Sequence, residues 1–212
     1  MTGAGVRALS LLDFFRTAGK LKSVRRQGWV DRGLPDAESV ADHTFRAMVM
    51  AWALGRMAGL NTDRLLMIML LHDLPEAEAG DATPYADALG RASDLADRVS
   101  RWRQLVSSEQ LAAAKRGKRR VEQQAAEQIA RDLPAGLGDE LVELWLDYTE
   151  RRSPEAKFAA QIDKLEAALQ AIEYRAAGHQ ADAENFLLSA REVVEHPILV
   201  QLLAELEAEA NG

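Results

Sequence analysis

The sequence predicts an all-α protein, folded as a single helical domain over residues 1–212. Three observations carry that prediction. Ala, Leu, Glu, Arg and Gln dominate, and these residues lose little freedom on entering a helix. Alternating Val/Ile/Thr runs of the strand type are missing. Apolar residues recur at intervals of three and four along most of the chain. With 48% hydrophobic and 28% charged residues, 212 positions suffice for one buried core and argue against disorder. No internal repeat and no linker rich in Gly, Pro or Ser divides the chain.

The elements follow in order. Residues 7–20 read as a helix with Leu9, Leu12 and Phe15 on one side. Gly28, Gly33 and Pro35 make 21–38 a loop with room for a short turn. Ser39-Val-Ala-Asp42 is a capping box opening a helix to about residue 58, with a predicted apolar stripe of Ala41, Phe45, Met48 and Trp52. Asn61 or Thr62 caps the next helix. It carries the run Leu65 to Leu71, apolar on every side as a central helix is, and ends at His72-Asp73. Pro75 disfavours helical geometry at Leu74, so a bend is expected there.

Residues 80–84 read as loop and 91–131 as one or two polar helices. Residues 137–150 form a helix holding Leu141, Leu144, Trp145 and Tyr148. Ser153 caps a long helix to about Ala177, with Pro154 at its first position and Phe158, Ile162, Leu165, Leu169 and Ile172 as its stripe. Two shorter helices finish the chain after Gly178.

Composition narrows the chemistry. The chain has no cysteine, which excludes disulfides, thiolate metal sites and a thiol nucleophile. Four histidines remain: His43, His72, His179 and His196. Net charge is −7, a poor basis for binding nucleic-acid polymers through their phosphates. The seven-residue run Leu65 to Leu71 is far short of the roughly 20 residues of a membrane span. No basic start followed by an apolar stretch marks a signal peptide, so a soluble cytoplasmic protein is expected.

His72-Asp73 is the sharpest anomaly, a His-Asp pair at the end of the most apolar helix. A buried carboxylate is costly unless paired or bound to a metal, although a helix end meeting solvent explains the pair equally well. His43 opens its own helix, and Asp163 lies beside the stripe residue Ile162 among Ala156, Ala159, Ala160 and Ala167. Taken singly, His43 reads as a core histidine and Asp163 as a surface acid. Together, two imidazoles and two carboxylates suit a divalent ion such as Mn, Co, Fe, Ni or Zn.

The pattern His43…His72-Asp73…Asp163 resembles the HD-domain metal-dependent phosphohydrolases. The segments 22–29, 38–43, 71–81, 156–163 and 196–207 are similar to the 5′-deoxynucleotidase branch. The resemblance runs in order over about residues 10–208 and is weak over 84–118, a stretch long enough for an insertion. It implies a single HD-domain bundle with one divalent metal ion (Mn, Co, Mg, Zn, Ni or Fe) between its helices. It also implies hydrolysis of deoxyribonucleoside 5′-monophosphates, small nucleotides rather than polymers, by a homodimer.

Carried over position by position, His43, His72, Asp73 and Asp163 are the implied metal ligands. Glu76 orients or deprotonates the attacking water, Asp81 lies near the sugar and helps exclude a 2′-hydroxyl, Arg26 meets the phosphate and Trp29 packs near the substrate. Plain alternatives stand beside these roles. Glu76 suits a helix's first turn, Arg25 is as good a cation as Arg26, and Trp29 suits a core. Lys157 is a further phosphate candidate but reads as surface.

The basic run Lys115 to Arg120 reads as a solvated helix or loop, given the acidic chain and the lack of interleaved aromatics. His179 reads as exposed, His196 as fixing a turn before Pro197, and Trp145 and Tyr148 as core or subunit-interface residues. No histidine falls between His72 and Asp163, which favours one metal. HD folds also host triphosphate hydrolases, phosphodiesterases and iron oxygenases, and a non-enzymatic nucleotide-binding protein is a further alternative.

Overall fold

The computed structural model describes residues 3–34, 36–82, 109–179 and 182–211. Among them are ten helices and no strand, with one isolated antiparallel bridge between Arg25 and Ser39. The helices are α1 (Gly3–Lys20), α2 (Gln27–Val30), α3 (Val40–Met57), α4 (Thr62–Leu71), α5 (Glu76–Ala79), α6 (Glu109–Arg131), α7 (Ala135–Glu150), α8 (Pro154–Ala176), α9 (Ala183–Arg191) and α10 (Pro197–Asn211). Residues 83–108 lie outside the described residues, and with them most of the weakly matching stretch 84–118 and the first part of the polar helices expected over 91–131.

Helix α8 is the axle. Ser153 Oγ accepts from Ala156 N at 3.0 Å and Pro154 fills the first turn, so its start is fixed by the cap the sequence contains. Phe158, Ile162, Leu165 and Ile172 are buried along it, and Ala156, Ala159, Ala160 and Ala168 let neighbours approach. Helices α3, α4, α7, α9 and α10 all pack against it. Asp147, near the end of α7, accepts from Ser153 N and Oγ at 2.8 Å each and from Arg64 Nη2 of α4 at 2.7 Å, tying three helices at one carboxylate.

The capping box at α3 forms in both directions: Ser39 Oγ accepts from Asp42 N, and Asp42 Oδ2 accepts from Ser39 N at 2.9 Å. The stripe predicted for α3 is corrected. Phe45 is 72% and Trp52 54% exposed, and the buried face is Val40, His43, Thr44, Ala47, Ala51 and Gly55. Small residues win that face because α4 and α8 lie close against it. A Cβ on Gly55 would come within 2.6 Å of Leu65 Cδ2.

Leu12 and Phe15 of α1 are likewise exposed, and Phe14 and Ala18 pack inward instead. Helix α4 is capped by Asn61 and buries Leu65, Ile68, Met69 and Leu71, while Met67 and Leu70 reach solvent. Between α6 and α7 the approach is closer still: a Cβ on Gly138 would lie 2.5 Å from the Ala130 carbonyl oxygen. No helix among the described residues is long and apolar enough to cross a membrane.

Candidate metal centre

Three helices deliver the implied ligands to one point. His43 comes from the first turn of α3, His72 caps the end of α4 with Asp73 following, and Asp163 projects from the middle of α8. His43, His72 and Asp163 are buried, and each offers a donor atom within 4.8 Å of the other two. His43 Nε2 lies 3.2 Å from Asp163 Oδ1 and 3.8 Å from Asp73 Oδ2, and His72 Nε2 lies 3.1 Å from Asp73 Oδ2. Neither Nε2 has a hydrogen-bond partner.

Buried polar nitrogens are ordinarily satisfied, so two orphans facing two carboxylates call for a cation. His72 Nδ1 donates to the Met69 carbonyl at 2.7 Å, which leaves its Nε2 lone pair free to coordinate. The donor set fits a divalent metal ion. The plain readings of His72-Asp73 as a solvated helix end and of Asp163 as a surface acid do not describe these positions.

Arg26 stands between the two acids. Its Nη1 is 3.2 Å from Asp73 Oδ2 and its Nη2 3.8 Å from Asp163 Oδ1. Arg25 turns away and donates to the Ala37 carbonyl at 2.8 Å, so of the adjacent arginines it is Arg26 that lies against the two acids. Burial would raise the carboxyls of Asp73 and Asp163. The charges around them outweigh it, His72, Arg26 and His43 at Asp73 and Lys164, His43 and Arg26 at Asp163, so both acids stay ionised. Burial and Arg26 oppose protonation of His43, but Asp163 and Glu166 hold its pKa up at about 9 in the absence of metal.

A cleft of about 300 Å³ opens beside this cluster, walled by Arg26, Trp29, Glu76, Asp81, Lys118 and Phe186 among others. Glu76, in the first turn of α5, is 4% exposed, and its Oε2 has no hydrogen-bond partner. Burial, with Asp73 and Asp81 nearby, pushes its pKa well above the ordinary glutamate range against the pull of Lys118 and Arg26. Gly80 ends α5 at φ 73°, a left-handed turn that glycine takes without strain, and Asp81 follows it. Asp81 Oδ2 accepts from Gln27 N at 2.8 Å, fastening this loop to α2. Trp29 is 1% exposed, stacks on Phe186 at 4.2 Å and donates from Nε1 to Glu38 Oε1 at 2.9 Å.

Several cleft residues are not among those singled out in the sequence. Lys118 belongs to the basic run read as solvated, yet its Nζ lies 3.3 Å from Glu76 Oε1, 3.4 Å from Asp81 Oδ1 and 3.2 Å from Glu122 Oε1. The i, i+4 spacing of Lys118 and Glu122 is the one signal that a single face of α6 carries both. Tyr148, expected in core or interface, donates to Asp163 Oδ2 at 3.3 Å, and the Arg151 guanidinium lies 4.3 Å over its ring. Lys157 and His179 are exposed. At His196, Gln161 Oε1 accepts from both Glu195 N and His196 N at 2.9 Å, holding the turn before α10.

Known proteins resemble this chain in sequence and in fold. The human protein named 5′-deoxynucleotidase HDDC2 is 39% identical over 211 residues, 99% of this chain and 91% of the human one. The protein of the same name from Dictyostelium discoideum is 30% identical, over 93% of this chain and 97% of its own. A crystal structure titled as a predicted metal-dependent phosphohydrolase from Magnetospirillum magnetotacticum shares the fold with a TM-score of 0.64 at 22% identity, covering 97% of this chain and 94% of that one. The family model described as HD domain matches residues 18–199. The chain belongs to the HD domain family.

Proposed function

We propose that this protein is a metal-dependent 5′-deoxynucleotidase, hydrolysing deoxyribonucleoside 5′-monophosphates to a deoxyribonucleoside and inorganic phosphate. The carrying observation is the convergence of His43, His72, Asp73 and Asp163, with both Nε2 atoms open, in a chain matching proteins named 5′-deoxynucleotidase over nearly its whole length. These four residues would hold one divalent ion, of a kind the ligand set leaves open among Mn, Co, Mg, Zn, Ni and Fe. Such an ion supplies positive charge to the phosphoryl oxygens and lowers the pKa of water.

The chain's own residues do the rest. Arg26, already seated between two acids, presents its guanidinium to the substrate phosphate, a geometry suited to two oxygens at once. Glu76 orients the attacking water and takes its proton, and the open Oε2 supports that role. Asp81, pinned by the Gln27 amide, would present a rigid carboxylate to the sugar and disfavour a 2′-hydroxyl. Trp29 gives the pocket a wall fixed by core packing.

We read the protein as cytoplasmic and as a homodimer. Phe45, Val49 and Trp52, exposed at i, i+4 and i+7 on α3, support association of two copies. The test of function is direct. Metal-stripped protein is reloaded with Mn, Co or Mg and assayed on deoxy- and ribonucleoside monophosphates and on triphosphates. Phosphate release from deoxynucleoside monophosphates, restored by metal, is expected. Release from none of them with any metal sinks the reading.

A further inference from the structure

Behind the candidate ligands lies a buried charge that the reaction above does not use. Glu166, one turn after Asp163 on α8, is 0% exposed. One of its oxygens, Oε2, makes a hydrogen bond with His43 Nδ1. The other, Oε1, accepts from Arg46 Nε at 2.9 Å. Arg46 in turn reaches Gln170 Oε1 and Glu173 Oε2, both at 2.6 Å, so the chain of contacts runs from His43 to the protein surface along α8.

A fully buried carboxylate is costly unless both oxygens are engaged, and here they are, by one imidazole and one guanidinium. An ionised carboxylate flanked by an arginine can only accept a hydrogen bond. His43 Nδ1 must therefore be the donor. With a metal ion in place of the second proton the imidazole would be neutral and carry one N–H, leaving the lone pair on Nε2, the atom that faces Asp163 and Asp73. His72 reaches the same tautomer through the neutral Met69 carbonyl. The two histidines thus differ in the charge of the group behind them.

We infer that Glu166 is a positioning residue for the metal centre: it fixes the Nε2-open tautomer of His43, and Arg46 holds Glu166 in place to do so. The inference rests on the metal reading of His43. Partners behind a ligating histidine set both its orientation and its basicity, and their loss commonly weakens metal binding about 10- to 100-fold.

The test uses the full-length chain with cobalt(II) chloride, titrated against a chromophoric chelator. Glu166→Gln, folded by circular dichroism, is expected to bind cobalt about 10- to 100-fold more weakly than wild type. If wild type fails to bind cobalt, the metal reading falls. If wild type binds and Glu166→Gln binds equally well, the role of Glu166 falls while the metal reading stands. Should Glu166→Gln not fold, wild-type protein labelled at its histidine nitrogens and loaded with zinc decides the matter by nuclear magnetic resonance. A proton on His43 Nδ1 is expected, shifted downfield by the carboxylate. A His43 Nδ1 without a proton overturns the inference.

Discussion

Arg26 Nη1 lies 3.2 Å from Asp73 Oδ2, so the cation read as meeting the phosphate is held by an acid read as binding the metal. On that reading, phosphate recognition and metal binding share one electrostatic unit. Arg26→Met should lower kcat/KM by about 10²-fold or more, the scale of losing a preorganised charge contact. It should also destabilise the fold by about 3–5 kcal/mol, because Asp73 and Asp163 lose their shared partner in a buried setting. Steady-state kinetics and urea unfolding measure the two effects separately.

Metal retention and turnover should come apart at neighbouring positions. Asp73→Ala is expected to lose bound metal, measured by elemental analysis after dialysis. Glu76→Gln is expected to keep it and lose turnover. A fully active Glu76→Gln would remove that residue from the mechanism.

Lys118 balances three carboxylates at the cleft. Lys118→Met leaves Glu76, Asp81 and Glu122 without that cation beside an anionic substrate. Its KM for deoxynucleoside monophosphates should rise by about tenfold or more, roughly 1.4 kcal/mol. Lys118→Arg should restore most of it, and an unchanged KM in Lys118→Met would return the residue to the class of surface cations.

Asp147 gives a pH-dependent stability. Burial opposes its charge, but the bonds from Ser153 and Arg64 prevail and hold its pKa below the ordinary aspartate value. Its contribution is therefore complete above the unfolded pKa of about 3.9 and is lost as pH falls through the lower folded value. Asp147→Asn should cost about 1–3 kcal/mol in urea unfolding at pH 7. The difference from wild type should narrow below about pH 4, as the wild-type carboxyl becomes protonated.

Gly138→Ala tests the contact of α6 with α7. The added Cβ meets backbone, which cannot rotate aside as a side chain can. A loss of about 1–3 kcal/mol is expected in thermal or urea unfolding. A parallel Gly136→Ala, where nothing lies within 4 Å, should be far milder.

Local signals in the sequence told where helices begin. Ser39 with Asp42, Asn61, and Ser153 with Pro154 cap α3, α4 and α8 as their chemistry requires. Which face of a helix turns inward was less legible. On α3 the large apolar residues Phe45 and Trp52 point outward, because burial there was decided by how closely α4 and α8 approach, a tertiary property. Candidate ligands could be named because the His-Asp pair after an apolar run is anomalous where it stands and the pattern His43…His72-Asp73…Asp163 resembles the HD-domain family, whereas His43 and Asp163 taken singly read as ordinary residues. Lys118 and Glu166 are ordinary residues on amphipathic helices, and only the packing of α6 and α8 gives them partners. The spacing of Lys118 and Glu122 matches that of any solvated face, while Glu166 borders the apolar stripe, four residues after Ile162.

The capping box at Ser39 has a consequence for reading natural variants. Helix ends fray more readily than helix middles, yet His43 hangs from the opening turn of α3, four residues after the cap. Ser39 thus serves as a mooring for His43, whose backbone N donates to the Ser39 carbonyl at 3.2 Å. A change at Ser39 would leave every candidate ligand intact on paper and is expected to weaken the retention of metal. A scan confined to the candidate ligands would pass it by.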